Sequence, residues 1–206
     1  MWQVVLPLKG TDDAKSRLDL SRTTRHQMVG AMAADTLTAL LATPEVHKVS
    51  VLSRRPDPLV PSPVAREAEV IVQPERLTSL DQALAWFAHT HAASSTHLAI
   101  VVADLPALRP ESMTSVLTDA ARHHLAMVAD ASGTGTTILT TCSPARLPTH
   151  FGAGSAAAHQ AAGAALISGT PDTQCDVDTT DDLDRAREIG LGPHMLALLS
   201  KSELAR

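Results

Sequence analysis

Aromatic side chains are nearly absent from this chain, which has two Trp, two Phe and no Tyr among its 206 residues. A core built from this sequence must therefore consist mainly of Ala, Val, Leu and Ile, within a total hydrophobic content of 44%. Only two cysteines are present, Cys142 and Cys175. Two are too few for a disulfide framework or a cysteine-based metal site.

Positive charge is also in short supply, with 17 Lys and Arg against 22 Asp and Glu and a net charge of -5 at pH 7. The sequence has no basic stripe of the kind that binds nucleic acid. No apolar run is long enough to cross a membrane, and the first residues become polar too soon for a signal peptide. We therefore expect a cytoplasmic protein without nucleic-acid or membrane partners.

Short apolar runs alternate with amphipathic stretches, which predicts an α/β fold with a mostly parallel sheet flanked by helices. The length suits a single domain over residues 1–206. The apolar runs predict strands over residues 3–8, 46–52, 69–72, 97–102, 126–129 and 137–140. The amphipathic stretches predict helices over residues 24–41, 80–91, 110–123 and 155–162.

The most informative segment lies near the C-terminus and reads C-D-V-D-T-T-D-D-L over residues 175–183. In an extended strand, Asp176 and Asp178 point to the same side, where their charges repel unless a cation lies between them. Oxygen ligands of this kind favour magnesium. Thr179 or Thr180 can cap a following helix. The alternative interpretation is a solvated acidic turn that only caps this helix.

A third aspartate, Asp104, follows the apolar strand predicted over residues 97–102. The carboxyl end of a central parallel strand is where open α/β sheets bind their ligands. The Leu-Pro pair after Asp104 favours a rigid, extended turn, which suits a fixed metal ligand. A capping or loop aspartate is the alternative.

Two glycine-containing loops could contact phosphate groups. Residues 130–137 read D-A-S-G-T-G-T-T, in which the glycines allow close approach of the backbone and the threonines supply hydroxyl groups. The second loop, F-G-A-G-S over residues 151–155, opens a helix for which Ser155 is a suitable cap. Of the ten histidines, His89, His91, His123 and His124 lie on predicted helices, whereas His159 lies nearer to the proposed site. An ordinary hairpin turn and simple helix capping are the alternatives.

Charged residues in two further loops are candidate nucleotide contacts. Lys9, Lys15 and Arg17 follow the first strand and could clamp a triphosphate, although a solvated charged loop is the alternative. Asp81 lies in the loop and helix start that follow the third strand, where a carboxylate could read a guanine base. A favourable charge in the first turn of a helix would explain Asp81 equally well.

Five motifs occur in order along nearly the whole chain: L-P-L-K-x5-K-S-R-L, A-D-L-P-A-L, G-T-G-T-T, F-G-x-G-S-A-x-x-H and C-D-V-D-T-x-D-D-L. This combination resembles the CofC/FbiD family, the guanylyltransferases of deazaflavin coenzyme F-420 biosynthesis. The resemblance implies a Rossmann-like, GT-A/MobA-like nucleotidyltransferase fold. It also implies a cytoplasmic enzyme that uses Mg2+.

The resemblance also assigns roles to individual residues of this chain. It implies that Asp104, Asp176 and Asp178 bind metal, and that Thr136, Gly152 and Ser155 contact the phosphate of the acceptor. Lys15 matches the lysine of the family's A-K-[TS]-R-L element and is a candidate catalytic residue together with Asp104. Nucleotide binding is expected to involve Lys9, Lys15, Arg17 and Asp81. The chain departs from the family at Ala103, where Gly is usual, and at Ser79-Leu80-Asp81, where the family has G-L-N.

The implied reaction transfers GMP from GTP to phosphoenolpyruvate, giving enolpyruvyl-diphospho-guanosine and pyrophosphate. Other acceptors consistent with the resemblance are 2-phospho-L-lactate and 3-phosphoglycerate. We also expect a direct hand-over of the labile product to the next enzyme of the pathway. A molybdopterin nucleotidyltransferase is disfavoured because its L-x-G-G-x-S-x-R-M-G loop is missing. A non-catalytic, nucleotide-binding regulatory domain is a remoter alternative, disfavoured by the presence of all three aspartates.

Overall fold

A computed structural model describes residues 1–8, 21–56, 67–92 and 97–203. Within these ranges, seven strands form a single sheet in the order β3-β2-β1-β4-β6-β5-β7. The strands are β1 (Trp2–Leu8), β2 (Val46–Ser53), β3 (Glu69–Val72), β4 (Leu98–Val101), β5 (Leu125–Ala129), β6 (Thr136–Thr141) and β7 (Ala165–Leu166). Neighbouring strands are parallel except for β6, which is antiparallel to both β4 and β5. The predicted mostly parallel α/β sheet is therefore confirmed.

The described helices flank this sheet. They are α1 (Arg22–Leu41), α2 (Leu80–His91), α3 (Pro110–Ala120), α4 (Ser155–Ala161), α5 (Pro171–Gln174), α6 (Thr180–Ile189) and α7 (Pro193–Glu203), with a short 3-10 helix over Pro144–Arg146. No helix in the described parts of the chain combines the length and the apolar character needed to cross a membrane.

The core lies on both faces of the central strands, because side chains alternate along a strand. Val4 and Leu6 of β1 pack in the cluster that includes Leu37 of α1. Val5, between them, packs in the opposite cluster with Phe87 of α2. Every residue of β1 and β4 is buried, as expected for central strands covered by helices on both sides.

Two predicted boundaries differ from the structure by two residues or more, and both have identifiable reasons. Helix α1 begins two residues before the predicted Thr24, because the Ser21 side chain accepts a hydrogen bond from the Thr24 amide at 3.2 Å. Helix α3 ends at Ala120 rather than at residue 123, because the chain tightens into three-residue turns. There the amide of His123 donates to the Ala120 carbonyl at 3.0 Å.

Two buried aspartates attach the C-terminal third of the chain to helices α3 and α1. Asp172 of α5 accepts hydrogen bonds from the Arg109 amide and the Ser112 hydroxyl, both at 3.0 Å, and thereby caps α3 from another element. Asp35 of α1 accepts from the amides of His194 and Met195 in the first turn of α7 at 2.8 and 2.9 Å. Burial raises the pKa of Asp35, opposed by these two hydrogen bonds.

Removing the Asp172 carboxylate should therefore destabilise the fold. In Asp172→Ala, the Arg109 amide and the Ser112 hydroxyl lose their acceptor, and we expect the free energy of unfolding to fall by about 2–3 kcal/mol. Urea unfolding followed by circular dichroism measures this loss. The control is Asp184→Ala, whose side chain is 59% exposed in an ion pair and whose loss should cost under about 0.5 kcal/mol. Equal losses in the two variants would contradict the capping role.

Candidate active site

The carboxyl end of β4 positions Asp104, the first of the three predicted metal ligands. The backbone on either side of this residue is held by α1: the Thr36 hydroxyl accepts from the Leu105 amide at 3.1 Å and lies 3.4 Å from the Ala103 carbonyl oxygen. The Pro106 carbonyl accepts from the Gly192 amide at 2.7 Å. These contacts agree with the rigid turn predicted from the Leu-Pro pair. Thr36 was missed from the sequence, because no motif distinguishes this buried helical threonine from any other.

The second predicted ligand segment, residues 175–179, runs beside Asp104. The amide of Val177 donates to the Asp104 carbonyl at 3.0 Å. Cys175 and Val177 are buried, Asp176 is half-buried and Asp178 is exposed. The predicted alternation is therefore present in the burial of these side chains, although the segment is not a strand of the sheet. The structure thus brings the backbones of two distant acidic motifs together at one edge of the sheet.

Helix α6 begins directly after this segment and fixes its end. Thr179, rather than Thr180, is the N-cap: its hydroxyl accepts from the Asp182 amide at 3.2 Å, and the Asp182 carboxylate accepts from the Thr179 amide at 2.9 Å. Burial raises the pKa of the Cys175 thiol to about 11, and nearby carboxylates add to this effect. Cys175 therefore stays protonated and serves as a core residue.

The glycine-threonine loop is a hairpin turn between β5 and β6 that Asp130 organises from within. The Asp130 carboxylate accepts from the amides of Thr134 and Gly135 at 3.0 and 2.9 Å. A side chain at Gly135 would collide with this carboxylate, because a Cβ atom there would overlap Asp130 Oδ2. These two amides are already satisfied within the protein. Phosphate contacts from this part of the chain would therefore rely on other groups, such as the Thr136 hydroxyl.

Thr136 is the first residue of β6 and lies next to the carboxyl end of β4, because the two strands are antiparallel. The following residue, Thr137, accepts a hydrogen bond through its carbonyl from the Val102 amide at 3.0 Å. The Thr137 hydroxyl donates to the Thr173 carbonyl at 2.7 Å, which holds the helix that leads into the Asp176 segment. Thr136 therefore lies at the same edge of the sheet as Asp104.

The second loop approaches this edge through the start of α4. The amide of Ala156 donates to the Thr134 carbonyl at 3.1 Å. Gly154, with φ +73°, occupies the cap position predicted for Ser155, and Ser155 is the first, buried residue of the helix. Gly152 has φ +138°, a backbone conformation that favours glycine. The structure thus brings Thr136, Gly152 and Ser155 into one neighbourhood.

His159 lies one helical turn after Ser155 and is fully buried. Its Nδ1 atom is 2.9 Å from the Thr136 hydroxyl oxygen, and its Nε2 atom accepts from the His150 amide at 3.0 Å. Burial, together with the charge of His150, lowers the pKa of His159 from 6.5 to about 4, against a smaller opposing effect of Asp81. The ring is therefore neutral at physiological pH. Its four-residue spacing from Ser155 is the sequence signal that places both on one helix face.

Asp81 lies in the first turn of α2, and one of its carboxylate oxygens is already engaged. Oδ1 accepts from the Phe151 amide at 2.9 Å, and the Asp81 carbonyl accepts from the Thr149 hydroxyl at 3.2 Å. Asp81 therefore connects α2 to the loop that contains Gly152. Its role in reading a base stays a prediction.

The basic residues of the first loop lie outside the described residues, so their predicted phosphate contacts also stay predictions. They are Lys9, Lys15 and Arg17. Strand β1 ends at Leu8, and its pairing with β4 brings its carboxyl end to the edge where Asp104 lies.

The metal-binding prediction depends on oxygen ligands from beyond the protein. Among the residues that the structure describes, no three His, Cys, Asp or Glu side chains are grouped closely enough to hold a metal ion. Mg2+ usually takes one or two carboxylates and completes its coordination with water and substrate phosphate. The carboxylates of Asp104, Asp176 and Asp178 supply donor atoms of the right chemistry, but their three side chains do not form such a group, so the metal-binding role stays a prediction.

Comparison with known proteins finds a family match over most of this chain. Residues 2–186 match the family described as "Guanylyl transferase CofC like". The phosphoenolpyruvate guanylyltransferase of Geodermatophilus obscurus is 39% identical over 209 residues, covering 96% of this chain and 94% of the relative.

Two solved structures show the same fold at low sequence identity. A Desulfovibrio desulfuricans protein, provisionally named a nucleotide-diphospho-sugar transferase, aligns with a TM-score of 0.72 at 14% identity and covers 98% of this chain and 95% of its own. The 2-C-methyl-D-erythritol 4-phosphate cytidylyltransferase of Thermus thermophilus aligns with a TM-score of 0.56 at 16% identity, covering 91% and 97%. The predicted nucleotidyltransferase fold is thereby confirmed.

The buried His159 predicts a specific pH dependence of stability. Between pH 6.5 and about 4, the unfolded chain takes up a proton on this ring while the folded chain does not. The free energy of unfolding should therefore fall as the pH is lowered through this window, by up to about 1.4 kcal/mol per pH unit. His159→Asn cannot take up this proton, so its free energy of unfolding should lack this part of the decrease at low pH. Urea unfolding of both proteins at several pH values measures the difference, and parallel curves would refute the prediction.

Proposed function

Because this chain belongs to the CofC-like guanylyl transferase family, we propose that it transfers GMP from GTP to phosphoenolpyruvate in coenzyme F-420 biosynthesis. One structural observation carries the proposal: the hydrogen bond from Val177 to Asp104 joins the two acidic motifs at the carboxyl end of β4. Thr136 begins the neighbouring strand at this edge, and α4 contacts the same hairpin through the hydrogen bond from the Ala156 amide to the Thr134 carbonyl. A metal-assisted nucleotidyl transfer needs such a pair of neighbouring sites, one for the triphosphate and one for the anionic acceptor.

In the proposed reaction, a phosphate oxygen of the acceptor attacks the α-phosphorus of GTP. The bond between this phosphorus and the oxygen bridging to the β-phosphate breaks, and pyrophosphate leaves with the electron pair. A phosphate monoester with a second pKa near 6 is already largely a dianion at neutral pH, so the reaction needs no general base. The protein has to hold two polyanions in line, which makes positioning and charge stabilisation the main contributions.

Asp104, Asp176 and Asp178 would hold magnesium in this proposal. When bound, magnesium supplies positive charge to the phosphate oxygens. Lys15, also proposed as catalytic, would add positive charge to the triphosphate with Lys9 and Arg17, and Asp81 would contact the base through its second carboxylate oxygen. We propose that Thr136, Gly152 and Ser155 contact the acceptor phosphate.

The cellular setting is also part of the proposal. GTP and phosphoenolpyruvate are intracellular metabolites, so the reaction would take place in the cytoplasm. Because an enolpyruvyl diphosphate is labile, we include its direct hand-over to the next enzyme of the pathway.

The aspartates are tested by removing one charge at a time. Asp104→Asn, Asp176→Asn and Asp178→Asn should each reduce kcat by about 100-fold or more, the cost of losing a group that stabilises charge in a preorganised site. Thermal unfolding should show that each variant remains folded. Asp119→Asn, at a surface ion pair, is the matched control and should retain normal turnover. Near-normal activity in any two of the three variants would contradict the assignment of these aspartates as metal ligands.

The acceptor is tested by comparing two similar acids in separate reactions. The purified protein is incubated with GTP, magnesium and either phosphoenolpyruvate or 2-phospho-L-lactate, with pyrophosphate release as the rate and mass spectrometry to identify the product. The acids share a carboxylate and a phosphate and differ in the shape of one carbon, so we expect kcat/KM to favour phosphoenolpyruvate by about 10–200-fold.

Three outcomes would change the proposal in different ways. Equal values or a preference for the lactate would replace the acceptor and leave guanylyl transfer intact. Turnover with 3-phosphoglycerate alone would do the same. No pyrophosphate with any acceptor would favour a non-catalytic nucleotide-binding domain.

A further inference from the structure

The hydrogen bonds of His159 determine which of its ring nitrogens carries the proton. The His150 amide has a hydrogen to donate and points it at Nε2, 3.0 Å away. Nε2 must therefore accept, which leaves no hydrogen on that nitrogen. A neutral imidazole carries its single hydrogen on the other nitrogen, so Nδ1 is the protonated one. The tautomer is thus assigned from the direction of a backbone amide.

This tautomer determines how the Thr136 hydroxyl is used. Nδ1–H donates to the Thr136 oxygen at 2.9 Å, so this oxygen is the acceptor in that pair. A threonine hydroxyl has one hydrogen. Because it is not given to His159, it can be donated to another acceptor. With the opposite tautomer, the hydroxyl hydrogen would point back at the ring.

Two neighbouring backbone amides are held by the same cluster. His150 donates its amide hydrogen to His159 Nε2, and Phe151 donates its own to Asp81 Oδ1 at 2.9 Å. Gly152 follows directly. The loop proposed to contact the acceptor substrate is therefore preceded by two consecutive residues whose amides are held by hydrogen bonds. The Phe151 ring also packs edge-on against the His159 ring, with centroids 5.1 Å apart. His159 therefore contacts both parts of the proposed acceptor site, the hairpin residue Thr136 and the loop before Gly152.

We propose that His159 is a positioning residue whose Nδ1–H tautomer commits the Thr136 hydroxyl hydrogen to the anionic acceptor substrate. This inference rests on the proposed function, because it takes Thr136 as a contact of the acceptor. It adds a residue that touches neither substrate and acts through the direction of one hydrogen bond. The neutral state of the buried ring over the physiological pH range supports it.

Two substitutions separate the donor and acceptor functions of the ring. In His159→Asn, the side-chain amide nitrogen can take the place of Nδ1 and still donate to Thr136. In His159→Gln, the side-chain oxygen can take the place of Nε2 and still accept from the His150 amide, but the donor to Thr136 is lost. Each variant removes one of the two hydrogen bonds, so a purely structural role would affect both in a similar way.

The kinetic test uses the full-length enzyme with GTP, magnesium and phosphoenolpyruvate. We expect His159→Gln to raise the KM for phosphoenolpyruvate by about tenfold, the effect of misdirecting one hydrogen bond to a charged group, with the KM for GTP unchanged. His159→Asn should stay within about threefold of the wild type, a change too small to represent a lost hydrogen bond to a charged group. Thr136→Val should raise the KM for phosphoenolpyruvate as His159→Gln does. The double variant should be no worse than the Thr136→Val variant, because the two residues act as one unit.

The failures of the two proposals are distinguishable. Equal impairment of His159→Asn and His159→Gln, or a change in the KM for GTP, would overturn the inference while leaving the guanylyl transfer intact. An unaltered KM for phosphoenolpyruvate in Thr136→Val would overturn the acceptor site and the inference together. Absence of turnover by the wild type would remove the proposed function itself, and the inference with it.

A spectroscopic measurement tests the tautomer even if neither variant folds. In the wild-type protein with 15N-labelled histidine, long-range 1H–15N correlation spectra distinguish a protonated ring nitrogen from a bare one. We expect hydrogen on Nδ1 of His159 and none on Nε2, and we expect phosphoenolpyruvate, added without GTP, to shift the Nδ1 resonance. Hydrogen on Nε2, or an Nδ1 resonance unmoved by saturating phosphoenolpyruvate, would overturn the inference.

Discussion

The hydrogen bond from the Val177 amide to the Asp104 carbonyl is the contact on which the candidate site depends. Asp104 follows the central strand β4 by three residues, and Val177 lies in an irregular segment between two helices near the C-terminus. This one backbone contact makes the end of β4 and the residue between Asp176 and Asp178 neighbours. Other hydrogen bonds hold the two partners in place. Thr36 contacts the residues before and after Asp104, and Thr179 and Asp182 cap the helix that follows the acidic segment.

The second half of the site is organised by buried polar groups that satisfy one another. A fully buried imidazole is costly unless both of its nitrogens find partners. Thr136 and the His150 amide provide these partners, and Asp81 holds the next amide in the chain. The hydrogen bonds that satisfy the His159 ring also join the hairpin between β5 and β6 to the loop before α4. The polar network therefore fixes the relative position of two loops that have no strand or helix in common.

Much of the fold follows from the pattern of apolar residues. Glu69–Val72 and Leu80–His91 have the predicted bounds, because the first is a short β-branched run and the second carries a capping serine and a clear apolar stripe. The predicted end of α3 was wrong by three residues. The helix ends early because the chain after Ala120 forms three-residue turns before β5 begins. Ser155 was expected as a cap, but Gly154 takes that position with a positive φ that serine adopts less readily.

The residue types alone determined the chemistry that this protein can offer: oxygen ligands at Asp104, Asp176 and Asp178, hydroxyl groups at Thr136 and Ser155, and glycines where the backbone must turn. The tertiary structure decided which of these groups face one another. It turned the amides of Thr134 and Gly135 towards Asp130, engaged one oxygen of Asp81, and fixed the proton of His159 on Nδ1 through the amide of His150. The physical reason is that a hydrogen bond depends on direction and distance between residues far apart in the chain, whereas a sequence motif specifies only which donors and acceptors exist.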